Sequence, residues 1–295
     1  MDAAQAQGPW HYPVLLKESL EYLAIRPDGV YLDVTAGLGG HTGAIAERLV
    51  SGFVIACDRD AESLELARRN TEVFKDRIRF FHGAFSKVPD ALLANGVEKV
   101  GGVIADLGVS RYQLSSGERG FSLMEDGPLD MRMDRRQSVT AADLVNELSE
   151  KDLADLIYRF GEERRSRRIS RAIVRARPVL TTGRLAQVVE EAVPRTGRIH
   201  PATQTFMALR LKVNEEMDEL DELLKIVPGR LEPGGRFVVL TFMSVEDRKV
   251  KQAFQSLARS GQGRILTKHV IKPSGAEVVE NAASRSAKLR AFERT

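Results

Sequence analysis

Residues 30–42 read VYLDVTAGLGGHT, and this stretch decides the fold. It begins with a short apolar run that ends at Asp33, continues through a glycine turn at residues 37–40, and leads into a predicted helix that starts at His41. Glycines in such a turn let a ligand approach the backbone closely. The order of strand, glycine turn and helix therefore predicts a ligand-binding corner of an α/β domain.

The alternation of strand and helix continues through the first hundred residues. Apolar runs at 52–57, 78–81 and 100–105 predict three more strands, and segments with helical periodicity separate them. Because these runs are apolar throughout, the strands are expected to be covered on both faces. Their spacing predicts a parallel, doubly wound sheet with a fifth core strand at 237–242.

Residues 111–202 break this rhythm, because they combine turn-rich polar sequence with helical patterns and contain no convincing strand. The simplest architecture is a Rossmann-like α/β core formed by residues 8–110 and 203–295, with an inserted all-helical domain at 111–202. An insert of about 90 residues has the size of a small domain. One long helix is predicted at 201–227, after the insert.

Asp33, Asp58 and Asp106 end the first, second and fourth predicted strands. The carboxyl ends of parallel strands form the edge at which open α/β sheets bind ligands. An acid at the end of the second strand can accept hydrogen bonds from both hydroxyls of a ribose, which S-adenosylmethionine and NAD each carry. Phe85, after the third strand, is placed either to stack on adenine or to fill the core.

The glycine turn separates these two cofactors only in part. Its pattern is G-x-G-G, and the third glycine of the dinucleotide fingerprint G-x-G-x-x-G is absent. Taken alone, the turn is as consistent with a structural role as with a ligand site. Together with the three acids at strand ends it favours a nucleoside cofactor, and NAD remains the alternative to S-adenosylmethionine.

Composition and charge exclude several classes of protein. Of the 295 residues, 43% are hydrophobic and 29% are charged, as in ordinary globular proteins. Cys57 is the only cysteine, which excludes an internal disulfide and a cysteine-based zinc cluster and favours a reducing, cytoplasmic compartment. No run approaches the roughly 20 apolar residues of a membrane helix, and residues 1–9 contain neither a secretory signal nor a transit peptide. We predict no metal site and no membrane partner.

The net charge of +3 conceals a strongly basic segment, because residues 159–177 contain eight arginines and no lysine. On a helix, four of these arginines share one face: Arg164, Arg168, Arg171 and Arg175. An arginine stripe is expected of a surface that binds RNA phosphates. A solvated face, or ion pairs with the acids of residues 118–134, are the alternatives.

An ordered series of motifs covers nearly the full chain. They are residues 11–16 (HYPVLL), 33–42 (DVTAGLGGHT), 106–110 (DLGVS), 119–122 (RGFS), 127–134 (GPLDMRMD), 161–164 (GEER), 200–203 (HPAT), 233–236 (PGGR), 246–248 (EDR) and 285–290 (RSAKLR). In this order they resemble the bacterial 16S ribosomal RNA cytosine-N4 methyltransferases, the MraW or RsmH family.

This resemblance implies a class I methyltransferase core that uses S-adenosylmethionine. The implied acceptor is the exocyclic N4 of a cytidine in the decoding region of 16S rRNA, within the small ribosomal subunit. The family's cofactor contacts correspond here to Gly39, Gly40, His41, Asp58, Phe85, Asp106 and Gln113. His41 and Gln113 rest on the resemblance alone, whereas Asp33 and Gly37 are added from the strand-and-turn pattern.

The single cysteine also bears on the reaction. Methylation at carbon 5 of cytosine commonly needs a thiolate, and Cys57 lies inside a predicted buried strand, where a thiol is usually inert. An exocyclic amine can attack the sulfonium methyl directly, so the enzyme has to orient it. Asp106 is the candidate catalytic residue, expected either to orient the amine or to bind the methionine end of the cofactor.

Three segments depart from the family pattern. Arg111 and Tyr112 stand in an altered loop, Met243 replaces a histidine, and residues 281–286 (NAASRS) lack one basic residue. These departures leave open a non-catalytic RNA-binding assembly factor with a vestigial cofactor fold, beside an NAD-dependent Rossmann dehydrogenase. The oligomeric state is also open, with a homodimer as one alternative.

Overall fold

The computed structural model describes residues 13–195, 197 and 199–295, apart from the side chain of Arg111. The first two residues of the motif at 11–16, and the N-terminal segment at 1–9, therefore lie outside the described residues. The chain divides into two compact units, one of Met1–Gly108 with Glu219–Thr295 and one of Val109–Asp218.

Strands and helices are numbered in chain order. The strands are β1 (Val30–Asp33), β2 (Phe53–Asp58), β3 (Ile78–His82), β4 (Val100–Asp106), β5 (Leu231–Thr241), β6 (Gly263–Ile265) and β7 (Lys288–Arg294). The helices are α1 (Leu16–Leu23), α2 (Gly40–Arg48), α3 (Ala61–Asn70), α4 (Val88–Ala94), α5 (Arg111–Ser115), α6 (Ala141–Glu147), α7 (Glu150–Gly161), α8 (Ser166–Ala176), α9 (Thr182–Ala192), α10 (Thr203–Val213), α11 (Glu216–Arg230), α12 (Ser244–Arg259) and α13 (Gly275–Glu280). Among the described residues, no helix combines the length and apolar character that crossing a membrane requires.

The first unit is built on one seven-stranded sheet in the order β3-β2-β1-β4-β5-β7-β6. Strands β1 to β5 pair in parallel with their neighbours, and β7 pairs antiparallel with β5 and β6. The strand order reverses at β1, which lies between β2 and β4. Such a reversal is the point at which doubly wound sheets bind ligands. The sheet confirms the predicted Rossmann-like α/β fold.

Burial explains why the strands are apolar runs, and register explains where their terminal acids meet. In β4, the six residues before Asp106 are all buried, as expected of a strand covered on both faces. Asp33 pairs with Ala56 and Ile104 on the two neighbouring strands. Asp58 and Asp106 follow two residues later on those strands. All three carboxylates therefore lie at one edge of the sheet.

The second unit contains α5 to α10, and none of its described residues forms an extended strand. Its core is made of apolar side chains from these helices, among them the fully buried Ile157, Ile169, Ile173 and Leu209. Helices α7 and α10 approach closely at Gly161, where a Cβ would lie 2.5 Å from the carbonyl oxygen of Gln204. The unit thus has a hydrophobic core of its own, as a separate domain requires.

The second boundary between the units falls later than the predicted 202/203. The helical unit extends to Asp218 because α10 belongs to it. Phe206 and Leu209 of this helix are buried in the helical core, and α10 packs against α7. Helical periodicity identifies α10 as a helix but does not show which core it joins.

The helix predicted for 201–227 is two helices, α10 and α11. Asn214 ends the first, because its Oδ1 accepts a hydrogen bond from the Met133 amide at 2.8 Å and its Nδ2 donates to the Met131 carbonyl at 2.7 Å. Glu215 then takes a left-handed conformation with φ of 49°. The interruption comes from a loop that is distant in sequence, so local periodicity does not reveal it.

Candidate functional site

The glycine turn between β1 and α2 is held by close packing. Gly37 and Gly39 have positive φ angles of 50° and 90°, a region that favours glycine. A Cβ on Gly39 would lie 2.8 Å from Cγ2 of Thr71, and a Cβ on Gly40 would lie 2.4 Å from Cγ of Pro13. A side chain at either position would therefore displace the turn.

Replacing Gly39 by alanine is expected to lower the free energy of unfolding by about 1–3 kcal/mol, because the change combines a strained φ with a clash against Thr71. We also expect the affinity for S-adenosylmethionine to fall at least about tenfold, since the turn has to shift. Thermal unfolding and titration calorimetry measure the two effects.

Gly96→Ala is the matched control for this substitution. Gly96 also has a positive φ, 65°, but, its two chain neighbours aside, no atom of the described residues lies within 4 Å of a Cβ built on it. It should lose stability through backbone strain alone and keep its full cofactor affinity. Equal losses of affinity in the two variants would contradict the packing argument.

Asp33 holds the glycine turn from inside. Its side chain is 1% exposed, and Oδ1 accepts hydrogen bonds from the amide and the hydroxyl of Thr35. Its Oδ2 accepts from the hydroxyl of Thr42 at 2.6 Å. Thr42 stands where a dinucleotide fingerprint would have its third glycine. These contacts give Asp33 a positioning role in the turn, and its direct contact with a cofactor stays a prediction.

Asp58 links the end of β2 to the same turn. Its Oδ2 accepts from the Gly37 amide and its Oδ1 from the Asp60 amide, both at 2.8 Å. Burial, with smaller contributions from the charges of Asp60 and Asp33, raises the pKa of Asp58 to about 7. Each carboxylate oxygen has a second lone pair, so the group keeps acceptor capacity for ribose hydroxyls.

Asp106 is the least satisfied carboxylate at this edge. Its backbone amide donates to the Thr35 hydroxyl at 2.7 Å, and its Oδ2 lies 3.7 Å from Nδ1 of His41. Its Oδ1 is buried and accepts no hydrogen bond from any residue that the structure describes. Burial, followed by the charges of Asp33 and Glu246, raises the pKa of Asp106 to about 8. A buried acceptor without a partner is costly unless a ligand supplies the donor.

Sequence analysis did not single out Glu246 as a site residue. It is 1% exposed, and its Oε2 accepts from the amides of Phe242 and Met243, both at 3.0 Å, where β5 turns into α12. Met243 occupies the N-cap position without a side-chain oxygen, so Glu246 satisfies the amides of this turn. An acid three residues after an N-cap position that follows a predicted strand is the signal that could have found it.

Phe85 and Gln113 are placed differently. Phe85 is half-buried and follows β3, so it lies beyond the carboxyl end of a strand beside Asp58. Gln113 belongs to the second unit, where it is 4% exposed and forms a capping box with Ser110 at the start of α5. The first unit thus brings together all the predicted cofactor residues except Gln113. Contact of either residue with a cofactor stays a prediction.

The arginines predicted to bind RNA are exposed in the second unit. Arg164 precedes α8, and Arg168, Arg171 and Arg175 lie on it. Arg171 forms an ion pair with Glu150 at 3.3 Å, whereas the other three make no ion pair with a described residue. Two acids of the segment 118–134 pair locally, namely Asp130 with Arg132 and Asp134 with Arg136. Within the described chain, Arg164, Arg168 and Arg175 are therefore left without an ionic partner, because these two acids pair with Arg132 and Arg136 instead.

Metal and thiol chemistry find no support among the described residues. They include no group of three or more histidine, cysteine, aspartate or glutamate side chains that could hold a metal ion. Cys57 is buried in β2, and burial raises the pKa of its thiol above the usual range. Such a thiol does not form the thiolate that covalent catalysis at carbon 5 needs.

Comparison with known proteins gives one family over almost the whole chain. The model of the MraW methylase family matches residues 9–295. The ribosomal RNA small subunit methyltransferase H of Solibacter usitatus is 62% identical over 283 residues, which are 96% of this chain and 99% of that protein. The protein of the same name from Koribacter versatilis is 48% identical over 296 residues, covering 96% and 94% of the two chains. Among solved structures, TrmN from Thermus thermophilus is 14% identical with a TM-score of 0.45, covering 95% of this chain and 48% of that one.

Proposed function

The chain belongs to the MraW methylase family, and from this premise we propose that it transfers the methyl group of S-adenosylmethionine to the exocyclic N4 of a cytidine in the decoding region of 16S rRNA. The observation that carries the proposal is the buried Oδ1 of Asp106, which has no hydrogen-bond partner among the described residues and lies at the same edge of the sheet as Asp58 and the glycine turn. Membership of a methylase family removes the support for an NAD-dependent dehydrogenase.

The residues at this edge fit S-adenosylmethionine. Asp58 would accept the ribose hydroxyls, and Phe85 would stack on the adenine. Gly37 would let the nucleoside approach the turn, because a Cβ built on it has only the Thr35 carbonyl oxygen, at 3.7 Å, among the described atoms near it. When bound, S-adenosylmethionine supplies an electrophilic methyl group on a sulfonium centre.

Asp106 is the residue that would act on the acceptor. The lone pair of the cytosine amine is delocalised into the ring, so the amine must be oriented while its nitrogen forms the bond to the methyl carbon and the bond from sulfur to that carbon breaks. The Oδ1 of Asp106 would accept a hydrogen bond from the amine and then receive the proton that leaves N4. His41, 3.7 Å from Oδ2, would keep the carboxylate in place.

The arginines of the helical unit would hold the RNA. Exchanging Arg164, Arg168 and Arg175 for glutamine is expected to weaken binding of a 16S rRNA transcript at least about tenfold and to reduce its salt dependence, because three exposed charges are lost. Calorimetric affinity for S-adenosylmethionine should not change. The control is Arg184→Gln with Arg195→Gln, which removes two charges elsewhere in the same unit, so the two variants are compared per charge removed. Equal weakening per charge in both variants would contradict a specific role of the arginines on and next to α8.

The direct test is transfer of labelled methyl from S-adenosylmethionine to small ribosomal subunits, followed by mass analysis of the nucleosides. We expect N4-methylcytidine in subunits that lack this modification, and we propose the small subunit in a cytoplasmic setting as the physiological substrate. RNA binding without methyl transfer would instead support the non-catalytic assembly factor. A homodimer stays a prediction, which the mass of the protein in solution tests.

A further inference from the structure

A second basic surface lies on the first unit, and the function proposed above does not use it. It consists of Lys272, Arg285 and Lys288, which we call the core basic surface. Lys272 and Arg285 are exposed, and the side chain of Lys288 is 27% exposed. The three residues come from the segment between β6 and β7 and from the first residue of β7.

Backbone pairing brings this surface to the edge of the sheet that carries Asp106. Leu240 of β5 pairs with Asp106 on one side and with Leu289 on the other. Lys288 precedes Leu289 and pairs with Thr241, the last residue of β5. Because neighbouring strands lie about 4.8 Å apart, the backbone of Lys288 is roughly 10 Å from that of Asp106.

The other two residues lie beside Lys288. Ile271 forms an antiparallel bridge with Leu289, so the next residue, Lys272, stands opposite Lys288. Arg285 lies in the short 3₁₀ helix Ala282–Ser286, immediately before β7. Lys272 thus joins Arg285 and Lys288, which are neighbours in sequence, near the carboxyl end of β5.

Most of the charge on this surface is not neutralised within the unit. Asp247 is the acid that faces it from α12, and it pairs with Arg290 at 2.7 Å and with Lys288 at 3.7 Å. Lys272 and Arg285 make no ion pair with any residue that the structure describes. In α13, Glu280 is exposed, whereas Glu277 accepts a hydrogen bond from the Leu15 amide.

We propose that the core basic surface binds phosphate groups of the RNA strand next to the cytidine presented to Asp106. This inference rests on the proposed function, which places that cytidine at the same edge. Arginine binds a phosphate through two parallel hydrogen bonds, and lysine binds it as a point charge. The surface would therefore contact the RNA backbone and not the bases. It would fix the register of the strand, while the helical unit contacts RNA independently.

The test uses the full-length protein with Lys272→Gln and Arg285→Gln combined. The probe is a 16S rRNA transcript, and its affinity is measured between 50 and 200 mM salt. Loss of two phosphate contacts should reduce the slope of log affinity against log salt concentration by about 2 and lower the affinity at least about tenfold near 0.1 M salt. Calorimetric affinity for S-adenosylmethionine should stay at the parent value.

The matched control is Arg69→Gln with Lys75→Gln, which removes the same charge. Arg69 lies in the last turn of α3 and Lys75 precedes β3, so both lie towards the opposite edge of the sheet, and their side chains are 70% and 66% exposed. This control should keep the parent slope. An unchanged slope in the test variant, or an equal change in the control, overturns the inference. A competition with polyglutamate, an acidic polymer without phosphates, is a further test. The inference is overturned if polyglutamate displaces the transcript equally well from the parent and from the test variant, because the surface then shows no preference for RNA.

RNA binding by the core basic surface and methyl transfer to N4 are tested separately, because the binding assay needs no methyl transfer. A parent protein that binds the transcript through this surface but leaves small subunits unmethylated would contradict the proposed reaction and retain the surface. A parent protein that methylates N4 with no contribution from Lys272 and Arg285 would overturn the surface and retain the reaction.

Discussion

Replacing Asp106 by asparagine is expected to reduce methyl transfer to 16S rRNA at least about 100-fold and, at the same time, to stabilise the first unit above pH 7. The loss of activity follows from removing the carboxylate that receives the proton of the amine in the transition state, which asparagine cannot do and which costs about 10²–10⁴ in rate. Single-turnover rates at saturating S-adenosylmethionine measure it, because weaker cofactor binding then does not contribute.

The gain in stability follows from the sign of the pKa shift. Burial, with the charges of Asp33 and Glu246, raises the pKa of Asp106 to about 8. The folded state therefore holds the proton more tightly than the unfolded chain, whose carboxyl has a pKa of about 3.9, and stability is lost as the pH rises from about 4 to 8. Asparagine removes this loss. We expect melting temperatures that differ least near pH 5 and by at least about 2 °C at pH 8.

Asp90→Asn is the control, because Asp90 is an exposed acid on α4 of the same unit. It removes the same charge and should change neither the rate nor the melting temperature. A rate within about threefold of the parent in Asp106→Asn would contradict the catalytic role. A melting temperature at pH 8 that stays constant or falls would contradict the account of burial.

The parts of the site that follow from strand ends could be predicted from sequence. Asp33, Asp58 and Asp106 each follow an apolar run, and parallel pairing puts the ends of such runs at one edge. The spacing of the runs also predicts the α/β fold, because strands covered on both faces leave a continuous apolar signal. The role of the glycines in the turn at 37–40 was also predictable, because they directly follow the first apolar run and a turn between a strand and a helix leaves little room for side chains.

Contacts between distant segments were not predictable in this way. Periodicity predicts one helix at 201–227, but only the packing of its first part, α10, on α7 assigns that part to the helical unit. Asn214 ends that helix through hydrogen bonds to a loop, and nothing in its immediate neighbours signals them. Asp33 is similar, because its strand-end position suggests ligand binding while its buried hydrogen bonds within the turn give it a positioning role. In each case, the contact that decides the outcome is made by a residue that only the tertiary structure brings close.

Replacing Asp58 by alanine is expected to lower the affinity for S-adenosylmethionine at least about 100-fold. The change removes the acceptor proposed for the ribose hydroxyls and the partner of the Gly37 amide, and hydrogen bonds to a charged group are worth about 1.5–3 kcal/mol each. Titration calorimetry measures the effect. Asp60→Ala is the matched control, because Asp60 caps α3 through the Glu62 and Ser63 amides at the same corner. It should cost about 0.5–2 kcal/mol of stability and leave the affinity nearly unchanged.

The pH dependence of binding tests the same assignment in a second way. Because burial raises the pKa of Asp58 to about 7, its carboxylate form, the stronger acceptor, gains population as the pH rises from 6 to 8. In the Asp106→Asn background, where only one of the two acids titrates, affinity should therefore increase over this range, and Asp58→Asn should remove the part of the increase that Asp58 contributes. The cofactor's own amine titrates equally in both proteins and cancels in the comparison. Identical pH profiles, or Asp58→Ala with unchanged affinity, would show that the ribose is held elsewhere and that Asp58 serves only to fasten Gly37.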